Sequence, residues 1–113
     1  MKYERTASFK GDYGRLKDGE KQLFREAVEK FNQACDRFAE TNDPSVFPKS
    51  LRVASMANAP GIFEMTWSFS GPDGRATWEW TDVVSVDPST NKPVRERAVR
   101  WRRIGGHAIF ESP

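Results

Sequence analysis

Cysteine and histidine are nearly missing from this chain of 113 residues, which carries one of each, Cys35 and His107. A lone cysteine excludes an internal disulfide and fits a reducing compartment. With one cysteine, one histidine and no CxxC-type or helical ligand spacing, no metal site is expected. Long apolar runs are lacking as well. No stretch approaches the length needed to cross a bilayer, and no hydrophobic signal core follows Met1-Lys2-Tyr3-Glu4-Arg5. A cytoplasmic protein without membrane association is therefore expected. Neither internal repeats nor low-complexity segments occur. Gly71-Pro72-Asp73-Gly74 and Gly105-Gly106 do not make a P-loop or dinucleotide fingerprint, so no cofactor is expected.

What is present describes one globular domain spanning 1–113, with 37% apolar, 30% charged and 12% aromatic residues. The net charge of +2 hides an uneven distribution. Between Leu16 and Asp43 acids and bases interleave as on a solvated helix face. Between Lys92 and Arg103, by contrast, Lys92, Arg95, Arg97, Arg100, Arg102 and Arg103 are opposed only by Glu96. Such a patch suits a polyanion or an acidic protein partner. A surface strand cross-paired with nearby acids accounts for part of it equally well.

The hydrophobic period divides the chain. Tyr3, Arg5 and Ala7 alternate with Glu4, Thr6 and Ser8 as a short strand. Phe9, Tyr13 and Leu16 then fall at helical spacing, with Ser8 as the expected N-cap. Gly11 and Gly14 cost that helix about 1 kcal/mol each relative to alanine, so it depends on tertiary packing. Leu23, Phe24, Ala27, Val28, Phe31, Ala34, Cys35 and Phe38 form one apolar stripe of a longer helix, opened by Asp18-Gly19 and closed by Asn42-Asp43-Pro44. Cys35 beside this stripe reads as a buried small hydrophobe rather than a nucleophile.

Beyond Pro48 the period becomes two. Leu51 and Val53 flank Arg52, and Phe63, Met65, Trp67 and Phe69 alternate with Ile62, Glu64, Thr66 and Ser68. Ser70-Gly71-Pro72-Asp73-Gly74 reads as a hairpin turn, and Ala76, Trp78 and Trp80 lie on one face of the return strand. After the polar loop 87–93, Val99 and Trp101 alternate with Arg100 and Arg102. The order β-α-α-β-β-β predicts an α+β domain with two N-terminal helices packed on one face of an antiparallel sheet. The tryptophans then belong to the core.

The other sheet face would carry Glu64, Thr66, Thr77, Glu79, Arg100 and Arg102, with Arg52 near its first strand. In a structural reading the two glutamates cross-pair with arginines on neighbouring strands, each pair contributing roughly 0.2–1 kcal/mol. In a functional reading the arginines hold a phosphate. A carboxylate or His107, freed to turn by Gly105-Gly106, then handles protons, its pKa depressed by the arginines nearby. Metal-independent RNA cleavage fits these groups. There the 2′-hydroxyl attacks the adjacent phosphate, and the protein supplies positioning, charge stabilisation and proton transfer.

The chain resembles the RelE/ParE superfamily of bacterial type II toxins along nearly its whole length. The likeness rests on Phe9-Lys10-Gly11-Asp12-Tyr13-Gly14-Arg15-Leu16 and the helix after it, on Leu51-Arg52-Val53 and on Gly61-Ile62-Phe63-Glu64-Met65-Thr66-Trp67. Its strongest part is Trp101-Arg102-Arg103-Ile104-Gly105-Gly106-His107-Ala108-Ile109-Phe110. The resemblance implies a metal-independent endoribonuclease that cuts mRNA on the ribosome, silenced by a small antitoxin through which any larger assembly forms. It is similar in its tail to YafQ-type members, which implies His107, Arg102, Glu64 and Glu79 as catalytic residues and Arg52, Arg100, Arg103 and Lys49 as RNA-phosphate ligands. The spacing from His107 to the next aromatic is one residue shorter than in those members, and their additional histidines are absent. Phe110, near the family's tyrosine position, cannot transfer a proton. A gyrase poison of the ParE kind, or an inert antitoxin-binding module, is the alternative the same scaffold implies.

Overall fold

The computed structural model describes residues 1–67 and 74–113, with the side chain of His107 set aside. The elements among them are β1 (Lys2–Arg5), α1 (Ala7–Gly14), α2 (Asp18–Thr41), β2 (Ala54–Ser55), β3 (Ile62–Thr66), β4 (Arg75–Val86) and β5 (Pro93–Gly105), with short 3₁₀ turns at Pro44–Val46, Lys49–Leu51 and His107–Glu111. The strands form one sheet in the order β1-β5-β4-β3-β2. This is the expected α+β arrangement, with both helices on one sheet face. The hairpin turn expected at Ser70–Gly74 and the strand end at Ser68 and Phe69 fall at residues outside the described ones, Gly74 excepted. No helix among the described residues is long and apolar enough to cross a membrane.

The sheet is mixed rather than wholly antiparallel. β2 to β5 pair antiparallel, but β1 runs parallel to β5, Tyr3 beside Val99 and Arg5 beside Trp101. Hairpin connections force antiparallel neighbours, whereas a strand that reaches its partner only after a helical crossover is free of that constraint. A second departure lies at Arg52. Leu51 belongs to a 3₁₀ turn and Arg52 takes the left-handed conformation (φ 47°) that caps it, so the strand expected around Leu51-Arg52-Val53 begins only at Ala54.

α2 closes as its sequence predicts, with Asn42 left-handed (φ 53°) and donating to the Phe38 carbonyl. Its buried residues are Phe24, Ala27, Phe31, Ala34 and Cys35, while Leu23 is exposed. Leu23 lies one residue, some 100° of helix, from Phe24 and so leaves the stripe at the end where Phe24 meets Trp67 and Trp101. Aromatic rings join the layers in edge-on contacts, with Phe31 5.0 Å from Trp78 and Phe24 5.4 Å from Trp101 between ring centroids. All four tryptophans pack in or against this core.

α1 exists because it is tied down, its two glycines notwithstanding. Its N-cap is Thr6 rather than Ser8, which lies inside the first turn. The Thr6 hydroxyl accepts from Phe9 N–H and itself donates to the Arg102 carbonyl at 2.7 Å, fixing the helix start to β5. Phe9 then packs against Trp101 and Phe24.

Candidate functional site

The site is built on the second half of β5, and its geometry follows from a break in strand alternation. Trp78 pairs with Trp101 and Thr77 with Arg103, leaving Arg102 as the extra residue of a β-bulge. Strict alternation would turn Arg103 into the core. The bulge instead keeps both arginines out and returns Ile104, 2% exposed, to the core opposite Ala76.

Glu79 sits at the centre of the outer face. It accepts from Arg100 Nη1 at 2.7 Å and from Arg102 Nη1 at 2.9 Å. Arg100 is further committed to Glu4 at 3.1 Å and to the Thr81 hydroxyl at 3.2 Å. The hydrogen bonds it donates to Glu79, then to Glu4, raise its pKa further, so it stays charged at any physiological pH. Arg103 reaches the sheet edge, where Nε donates to Asp12 Oδ2 at 2.6 Å. This hydrogen bond to Asp12 is likewise the main reason its pKa is raised.

Asp12 has a second duty. β1 ends at Arg5, leaving the outward N–H of Ile104 without a strand partner, and Asp12 Oδ2 accepts it at 3.2 Å. Burial pushes the Asp12 carboxyl up. The hydrogen bonds from Arg103 and the Ile104 N–H, with the charges of Arg103 and Arg15, outweigh that and hold it below the ordinary value.

The outer face is not open at this end. Beyond Gly105-Gly106 the 3₁₀ turn brings Ile109, 6% exposed, onto it, and the tail follows. Arg102 Nε donates to the Pro113 carbonyl at 3.0 Å, the Thr77 hydroxyl to the same oxygen at 3.3 Å, and Arg103 Nη1 to the Ser112 carbonyl at 3.1 Å. Thr77 is fully buried as a result.

Of the residues singled out in the sequence, Arg100, Arg102, Arg103 and Glu79 thus come together. Glu64 lies on β3 opposite Thr77, one strand away from them. Lys49 and Arg52 belong to the turn leading into β2, at the sheet edge opposite β1. β2 and β5 are three strand spacings apart, about 14 Å, so the sheet does not bring these two into the cluster. His107 opens the 3₁₀ turn directly after β5, and the proton transfer expected of it would fall on a side chain outside the described structure. No group of three or more potential metal ligands occurs among the described residues.

Asp12, Glu4 and the tail carbonyls were not anticipated, whereas Thr77 was expected on this face. The one local signal was Trp101-Arg102-Arg103-Ile104, where two charged residues between two apolar ones mark the bulge. Comparison with protein-family models, with curated proteins and with solved structures found no match to this chain.

Proposed function

We propose that this protein is a metal-independent endoribonuclease of the toxin type, cutting mRNA on the ribosome and silenced by a cognate antitoxin through which it assembles. The observation that carries this reading is the convergence of Arg100, Arg102 and Arg103 at the end of β5, directly before the turn that starts at His107. Guanidinium groups held in fixed planes match the tetrahedral oxygens of a phosphodiester. In the reaction, the RNA 2′-oxygen bonds to the adjacent phosphorus and the bond to the 5′-oxygen breaks, leaving a 2′,3′-cyclic phosphate and a 5′-hydroxyl. Two protons move: one leaves the 2′-hydroxyl and one reaches the departing oxygen. His107 serves one of these transfers, Glu64 and Glu79 are the second-line carboxylates for orienting it or acting as base, and Arg102 steadies the charge that grows on the phosphate. Lys49 and Arg52 act as outlying contacts along the RNA.

The test is primer extension on ribosome-bound message, comparing wild type with His107→Ala. Wild type yields discrete cuts with cyclic-phosphate ends, and His107→Ala slows cutting by about 10²–10⁴-fold. A His107→Ala protein that cuts as fast as wild type sinks the assignment.

One observation favours a second reading. Arg100, Arg102 and Arg103 all have protein partners, as structural cross-pairing requires. A non-catalytic module, either a gyrase poison or an inert antitoxin-binding domain, accommodates that directly. Expression that halts protein synthesis first supports the nuclease. Accumulation of broken DNA supports the gyrase poison, and growth without either effect supports the inert module.

A further inference from the structure

The tail holds the donors that the nuclease reading assigns to RNA. Arg102 is fixed on one side by Glu79, through Nη1, and offers Nε on the other. That Nε, the Thr77 hydroxyl and Arg103 Nη1 converge on the carbonyl oxygens of Ser112 and Pro113. They border a recess of about 480 Å³, lined by Thr6, Ser8, Ile62, Arg102, Arg103 and Pro113 among others. To a guanidinium, the Ser112 carbonyl and the main-chain oxygen of Pro113, the last residue of the sequence, are acceptors that stand where phosphate oxygens would. Arg100 is different, because Glu4, Glu79 and Thr81 take its donors and the tail takes none.

The tail is also lightly anchored. Ile109 is its buried contact, seated over Gly105, where a Cβ would lie 3.1 Å from Ile109 Cγ2. Beyond it, Glu111 and Ser112 are exposed. The Arg103–Ser112 hydrogen bond is exposed and readily exchanged for water, while the two to Pro113 are part-buried, so the segment opens from its Ser112 side.

We propose that residues 111–113 form a strap filling a phosphate seat made by Arg102, Arg103 and Thr77, and that single-stranded RNA binds there by displacing it. The proposal rests on the nuclease reading and adds to it a built-in competitor. It also moves the phosphate seat away from Arg100, which serves with Glu79 to position Arg102.

The experiment is fluorescence anisotropy of a labelled single-stranded RNA, without ribosomes, titrated at several salt concentrations. The proteins are the full chain as wild type, Ile109→Ala, the pair Ser112→Gly with Pro113→Gly, and each of these combined with Arg102→Ala. Thermal melting verifies that each is folded, and the glycine pair leaves the buried Ile109 anchor intact should Ile109→Ala unfold. Loosening the strap tightens RNA binding by about ten-fold. It also steepens the salt dependence by roughly 1.4 in log–log slope, because two guanidinium groups enter phosphate contact. Arg102→Ala abolishes both gains. Equal affinity and slope in wild type and loosened proteins, with binding still dependent on Arg102, overturns the strap and leaves the nuclease reading standing. Failure of every protein to bind RNA overturns the phosphate seat and its strap, and the nuclease reading is decided separately by His107→Ala on ribosome-bound message.

Discussion

Asp12 joins three parts of the molecule through one carboxylate, binding Arg103, Arg15 and the Ile104 N–H while only 6% exposed. Asp12→Asn leaves the Arg103 guanidinium without its counter-ion, and the expected cost is about 3 kcal/mol, read from the urea midpoint at pH 7. The pH dependence has a definite sign. A carboxyl whose folded pKa is depressed stabilises the fold above its unfolded value, near 3.9, and that stability drains away as pH falls through the lower folded value. Stability profiles between pH 6 and pH 2 should therefore fall less steeply in acid for Asp12→Asn than for wild type. Cys35 is the opposite case. Burial, with the charge of Asp36 adding to it, raises its thiol to about 12. The thiolate is the reactive form, so Cys35 should ignore a thiol reagent at pH 8 in the native protein and react at once in denaturant.

At the scale of elements, the β5 bulge and the start of β4 set the site. The bulge lets two adjacent arginines share one face while Trp101 and Ile104 share the other. β4 begins where Trp67 closes over Gly74: the Trp67 N–H donates to the Gly74 carbonyl at 3.1 Å and its indole N–H to the Arg75 carbonyl at 3.0 Å. A Cβ at Gly74 would run into the Trp67 ring. Gly74→Ala should accordingly destabilise the fold by about 2 kcal/mol through overpacking, with a lowered denaturation midpoint as the readout. α1 shows the same dependence on distant partners, since its cap, its carboxylate and its Phe9 all bond or pack to β5.

The whole molecule measures 49 × 30 × 28 Å, longer than a sphere of its size, because β4 and β5 outrun the helices. α2 ends at Thr41 with Phe38 stacked on Trp80, and beyond that point the two strands continue as a ribbon with Val84 and Val86 exposed. A two-stranded ribbon without a covering layer is marginal in water. Amides of residues 83–86 and 94–97 should exchange with solvent well before those of 78–80 and 99–101, as hydrogen-exchange measurements will show. Val84→Lys should change global stability by no more than about 0.5 kcal/mol.

The long helix, the alternating strands and the buried tryptophans were legible in the sequence because each rests on a local period, 3.6 or 2, that a short window displays. The arginine face was legible for the same reason, as far as Arg102. Its partners were not. Asp12 and Arg103 are 91 positions apart, Glu4 and Arg100 96, and no local pattern records which acid a given base will meet. The parallel setting of β1, the left-handed Arg52 and the tail over Arg102 were likewise decided by packing among remote segments. The sequence by itself determined most of the residues that turn inward, Leu23 and, at the bulge, Arg103 excepted, and that cations crowd the end of β5. Only the tertiary structure decided what those cations hold, because an ion pair is fixed by distance in space rather than by position along the chain.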